Sequence, residues 1–104
     1  AVHGVVLTLY VGAEVVHFSG HFPEIPILPG IVQLDWALRY ARQYLGLNGR
    51  FVAVENLKFL GLVLPDTSLQ LSLRWQEKEG RLEFSFFDTQ RKYASGRVLF
   101  ALDE

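Results

Sequence analysis

The alternation of apolar and polar positions is cleanest in the second half of the chain. Leu69, Leu71, Leu73 and Trp75 alternate with polar or small residues, and Leu82, Phe84 and Phe86 do the same. A period of two puts one set of side chains on one face of a strand. The pattern predicts strands over Ser68–Glu77 and Arg81–Asp88, with further strands over Phe51–Leu60 and Lys92–Ala101. Pro65-Asp66-Thr67, Lys78-Glu79-Gly80 and Thr89-Gln90 punctuate them as turns. At the start, residues 4–11 are β-branched and aromatic and read as a strand. Gly12-Ala13 turns the chain, and Glu14–Phe18 reads as a second, short strand.

One segment has a different period. Ile31, Leu34, Leu38, Ala41 and Leu45 recur at helical spacing, and Gly46 is placed to stop the helix as its C′ residue. Trp36, Ala37 and Tyr40 lie on the other side. The helix is thus apolar around most of its circumference and is expected to be buried. The preceding stretch, Ser19–Pro29, holds Pro23, Pro26 and Pro29, each of which biases the residue before it away from helix. The order is two strands, one helix, four strands. It predicts a single α+β domain over residues 1–104, an antiparallel sheet wrapped around one long helix.

Composition adds a constraint. Half of the 104 residues are hydrophobic and 13% are aromatic. A lone domain of this size leaves much of its surface exposed. The apolar excess therefore predicts a subunit interface or an apolar tunnel. The net charge of −1 leaves no electrostatic footprint for nucleic acid, and no apolar run is long enough to span a membrane. No signal peptide is visible; the chain starts at Ala1, so sequence upstream of it is allowed for. There is no cysteine, which excludes disulfides, thiolate chemistry and cysteine metal sites. A cytoplasmic location is compatible with this.

The candidate chemistry sits in residues 20–35. His21 lies in the proline-stiffened loop, Gly30 opens the helix, and Asp35 follows fourteen residues after the histidine. A neutral histidine suits proton abstraction at physiological pH. Helix-terminal N–H groups suit a developing oxyanion, and glycine lets a substrate approach the backbone closely. Asp35, beside the apolar stripe, is expected to be buried, which would raise its pKa and suit it to act as an acid. Asp35 also stands at i,i+4 to Arg39 and can form an ordinary helix-face ion pair. His3 and His17 read as structural. No spacing supports a metal, and no cofactor is expected.

The run His21-Phe22-Pro23, Pro26, Pro29-Gly30 and Asp35 resembles the β-hydroxyacyl-acyl carrier protein dehydratases of the FabA/FabZ type. Val54-Glu55-Asn56-Leu57-Lys58-Phe59 and Val63-Leu64-Pro65-Asp66 extend the resemblance over roughly residues 14–75. The resemblance implies a hot-dog fold and dimers with shared sites. It also implies dehydration of 3-hydroxyacyl thioesters, on acyl carrier protein or coenzyme A, to trans-2-enoyl thioesters. By the family's pattern His21 is the base and Asp35 of the other subunit the acid. The Ile27 carbonyl orients the histidine, and Gly30 with Ile31 supplies the oxyanion donors. The aspartate at position 35 is similar to the FabA branch, where FabZ-like members carry glutamate. Gln33-Leu34-Asp35-Trp36 looks like the dehydratase-like proteins of aryl-polyene-type clusters. Glu24 stands where the family commonly has glycine, and the leading helical segment of many relatives is missing. Arg39, Arg42, Arg50, Arg91 and Lys92 are cations available to an acidic carrier. Two other functions fit the same fold: a thioesterase, and a non-catalytic carrier-binding subunit.

Overall fold

The computed structural model describes residues 2–12, 30–47, 49–64 and 66–101. In chain order its elements are β1 (Val2–Val11), α1 (Gly30–Leu45), β2 (Arg50–Phe59), β3 (Thr67–Gln76), β4 (Arg81–Phe87) and β5 (Lys92–Ala101). The strands read from alternation agree with these bounds to within about two residues, the usual uncertainty at an element's ends. The expected strand Glu14–Phe18 and the proline loop lie outside the described residues.

The five strands form one antiparallel sheet in the order β1-β3-β4-β5-β2. Their register stacks the alternating apolar residues into rows that cross the sheet. Leu7, Leu71, Phe86 and Ala94 stand opposite one another, and the row ends at Phe59. Val5, Leu73, Phe84 and Gly96 make the next row, and Trp75, Leu82, Val98 and Val54 another. Cross-strand pairs of this kind are the unit of sheet stability. Leu69, Leu71, Leu73, Leu82, Phe86 and Val98 are fully buried as a result, each contributing about 1.5–3 kcal/mol by removal from water. Gly96 is small for a reason. A Cβ there would lie 2.8 Å from a Phe84 ring carbon, so the ring lies over the glycine.

Helix α1 packs against β1 and β3. Its buried residues are Gln33, Leu34, Ala37 and Ala41. Gly46 ends it in the left-handed region at φ 60°, a conformation glycine adopts without steric cost. The Arg42 guanidinium lies 5.6 Å from the centroid of the Phe100 ring. The helix is less enclosed than its composition predicts. Ile31, Asp35, Arg39, Arg42 and Tyr44 face outward and are exposed, because a single helix on one sheet buries only one side within one chain.

Strand β2 is irregular. It is an edge strand, exposed along most of its length, and its pairing with β5 breaks between Glu55 and Lys58, where Asn56 has φ 54°. This is a β-bulge, which bends the strand and re-aims its side chains. Asparagine tolerates the left-handed conformation better than most residues.

Beyond β2 the chain is tied to the β4–β5 turn. The Leu60 N–H donates to the Tyr93 carbonyl at 2.8 Å. In the turn, the Asp88 carboxylate accepts from the Gln90 and Arg91 N–H groups at 2.8 and 3.0 Å and from the Tyr93 hydroxyl at 2.5 Å. The Tyr93 hydrogen bond, followed by that of Gln90, holds the Asp88 carboxyl below its ordinary value. The same bond to Asp88, with burial, pushes the Tyr93 phenol up. Because the folded-state value of Asp88 is depressed, its contribution to stability is complete above the unfolded carboxylate range. It is lost as pH falls through the folded value. Asp88→Asn is therefore expected to lower the unfolding midpoint at neutral pH and to flatten the acid limb of stability below about pH 4. Urea unfolding across pH measures both. An unchanged acid limb would remove Asp88 from the linkage.

Candidate active site

Three of the expected site residues lie on α1. Gly30 is its first residue and Ile31 its second. The first-turn N–H groups of a helix have no partner within it, and the aligned peptide dipoles leave about half a positive charge there. No acidic side chain stands in the first turn of α1, so nothing in that turn neutralises this end. Ile31 is 65% exposed. His21 and Ile27, with Glu24, lie outside the described residues.

Packing explains why position 30 is glycine. A Cβ on Gly30 would lie 2.6 Å from a Phe59 ring carbon and within 2.8 Å of two more. The ring at the end of β2 thus sits where any larger residue would put its side chain. The contact joins the start of the helix to the sheet's edge strand.

Asp35 lies one turn further on, on the outward side of α1. Its side chain is 53% exposed, and its Oδ2 meets Arg39 Nε at 2.8 Å. The expected burial of Asp35 is thus not provided by this chain alone, while the expected i,i+4 ion pair is formed. Such exposed pairs stabilise a helix by only about 0.3–0.5 kcal/mol. The carboxylate is therefore easily released to a competing partner.

The face of α1 that turns to the sheet was misassigned by the spacing argument. That argument put Ile31, Leu38 and Leu45 on the buried stripe with Leu34 and Ala41. The structure centres the stripe on Gln33, Leu34, Ala37 and Ala41, with Leu38 and Leu45 half-buried against the core beside it and Ile31 exposed. Gln33, 2% exposed, is the buried polar residue of the described chain. The signal was its spacing of four from Ala37 and eight from Ala41; its polarity hid it. Among the described residues, no group of three or more potential metal ligands gathers, and no helix is long and apolar enough to cross a membrane.

The comparisons with known proteins bear on the same residues. The model of the ApeI-like dehydratases (ApeI dehydratase) matches residues 2–97. The chain belongs to the ApeI-like dehydratase family. In a solved structure of the dehydratase heterocomplex ApeI:P from Xenorhabdus doucetiae, a chain superposes with a TM-score of 0.86 at 32% identity, covering 96% of this chain and 88% of that one. An uncharacterized thioester dehydrase of Halalkalibacterium halodurans is 31% identical over 100 residues, 84% of this chain and 64% of its own. The dehydratase FabZ of Erythrobacter litoralis is 35% identical over 75 residues, 62% of this chain and 49% of its own. The chain thus spans about half to two thirds of the length of these curated relatives. More distant neighbours, such as an (R)-hydratase from A. caviae at 14% identity and TM-score 0.67, share the fold. The fold of this ApeI-like chain is the expected α+β hot-dog.

The Gly30–Phe59 contact makes a direct prediction. Gly30→Ala is expected to displace the Phe59 ring and to destabilise the protein by about 1 kcal/mol, despite alanine's better helix propensity. In a Phe59→Ala background the same change is expected to be neutral or stabilising. A double-mutant cycle read by chemical unfolding checks this; additive effects would dissociate the two positions.

Proposed function

We propose that this chain forms a 3-hydroxyacyl-thioester dehydratase in fatty-acid or polyene-type biosynthesis. His21 takes the C2 proton of the substrate. The electrons form the C2–C3 double bond, the C3–O bond breaks, and hydroxide leaves as water with a proton delivered by Asp35, directly or through water. The thioester oxygen gathers negative charge as the proton leaves. The Gly30 and Ile31 N–H groups stabilise it, each such donor being worth on the order of 3 kcal/mol. The Ile27 carbonyl holds the other ring nitrogen of His21. The product is a trans-2-enoyl thioester on acyl carrier protein or coenzyme A, made without metal or cofactor in the cytoplasm.

The observation that carries this reading is the start of α1. In a member of this dehydratase family, a helix end with no acidic side chain in its first turn stands at Gly30 with an exposed carboxylate, Asp35, five residues on. That carboxylate faces away from its own sheet, which suits a site completed by a second subunit. The exposed apolar residues support the same assembly. Of eleven large hydrophobic residues exposed among those described, seven lie between Phe51 and Leu64 and an eighth is Ile31. Among the described strands β2 is at the edge of the sheet, where backbone groups are available for pairing with another chain. A second copy seated there would form the expected homodimer.

A second reading concerns that partner. The superposing ApeI chain comes from a heterocomplex, so a different hot-dog chain is the competing occupant, with one subunit non-catalytic. Hydrolysis of the thioester is the competing reaction.

Incubation with a 3-hydroxyacyl thioester is expected to produce enoyl absorbance without free thiol; free thiol instead would assign hydrolysis. Asp35→Asn is expected to keep the fold, since the side chain is half exposed, and to lower turnover by about 10²–10⁴-fold. Unchanged activity would remove Asp35 from the mechanism. Equal amounts of inactive His21→Asn and Asp35→Asn chains, refolded together, are expected to recover about a quarter of the wild-type rate by random pairing of two copies. No recovery would overturn the shared homodimeric site.

A further inference from the structure

The face of the sheet turned away from α1 carries an open trough of about 440 Å³. Its floor and walls come from three neighbouring strands: Asn56 and Lys58 of β2, Glu83 and Ser85 of β4, and Lys92, Ser95 and Arg97 of β5. The register explains the hollow. Ser95 pairs with Ser85 on one side and Lys58 on the other, so the middle of the face is paved with small hydroxyl side chains between long charged ones. Two irregularities flank it. The Asn56 bulge interrupts β2, and β4 and β5 slip register where Phe87 pairs with Lys92. Bulges of this kind increase local twist and re-aim side chains.

The charge in the trough is unbalanced, in a protein whose net charge is −1. Arg97 is shared between Glu55 and Glu83 at 3.5 and 3.9 Å. Lys58 and Lys92 have no such partner among the described residues. The Nε of Arg97 is buried and has no hydrogen-bond partner. The lining has no exposed aromatic face on which a nucleobase would stack.

From these features we propose that the trough is a second binding site, for a small hydrophilic phosphate ester. The phosphate lies between Lys58 and Lys92, within reach of Arg97. Hydroxyls of the ligand meet Ser85, Ser95, Asn56 and the Glu83 carboxylate. The site lies on the opposite face of the sheet from α1, so its occupation is independent of the proposed dehydration.

Glucose 6-phosphate serves as the probe, titrated into isotopically labelled protein and followed by amide chemical shifts. Saturable shifts are expected at Asn56, Lys58, Ser95 and Gly96, weakened at least about tenfold in a Lys58→Gln/Lys92→Gln variant, as for loss of charged contacts to a ligand. Glucose at the same concentration is expected to give none. The proposal is overturned if the shifts do not saturate, if they persist in the variant, or if glucose matches glucose 6-phosphate. It is also overturned if a purified acidic carrier protein moves these amides while the phosphate ester does not, which would assign the face to a protein. The thermal midpoint of the variant checks that both lysines are dispensable for folding.

Discussion

The arrangement follows from one apolar sheet face that a single helix must cover. Strict alternation along β3 and β4, in register with β1 and β5, concentrates the large side chains on that face. Sixteen residues of helix, packed against β1 and β3, are the cover among the described elements. At the far edge, β2 has no further strand beside it among the described elements, and the residues that follow it are largely exposed. The apolar excess of the sequence and the bare edge of the structure are thus the same quantity seen twice.

That constraint fixes where the helix starts. The apolar row through Leu71 and Phe86 ends at Phe59, and this ring occupies the space beside Gly30. Glycine is required for the close approach, and the first-turn N–H groups have no partner within the helix itself. A packing requirement of the core therefore sets glycine at the positively polarised end of the helix. Asp35 follows from the helical period: two residues after Gln33, it lies on the other side of α1 and points outward.

Most of the fold was legible because β3, β4 and β5 obey a period of two and α1 a period near four, with turn residues between them. The helix stop was legible at Gly46 because only its backbone freedom mattered. Three features were not. The buried side of α1 was misplaced because Gln33 is polar and Ile31 apolar, while packing puts the first inside and leaves the second exposed. The bulge at Asn56 was hidden because a bulge changes pairing without changing composition. The burial expected of Asp35 was wrong for one chain, because the argument treated every apolar neighbour on α1 as covered by its own sheet. In the candidate site, Gly30, Ile31 and Asp35 were found where the sequence placed them. Their place on the helix was legible from spacing, but their environment was not.

The remaining asymmetry lies between the two faces of the sheet. The inner face is uniform, so its rows admit one register only, since a one-residue slip would send Leu71 or Phe84 to solvent. The outer face is mixed: Arg74, Glu83, Arg97 and Glu55 form one transverse row of alternating sign, and Ser72, Ser85, Ser95 and Lys58 the next. In the charged row each cation has a carboxylate beside it in register. The serine row balances nothing and ends in an uncompensated lysine. Burial of the inner rows does not require that choice, because outward positions are free to vary without cost to the core. The outer face is therefore where a second binding role can be added without disturbing the fold.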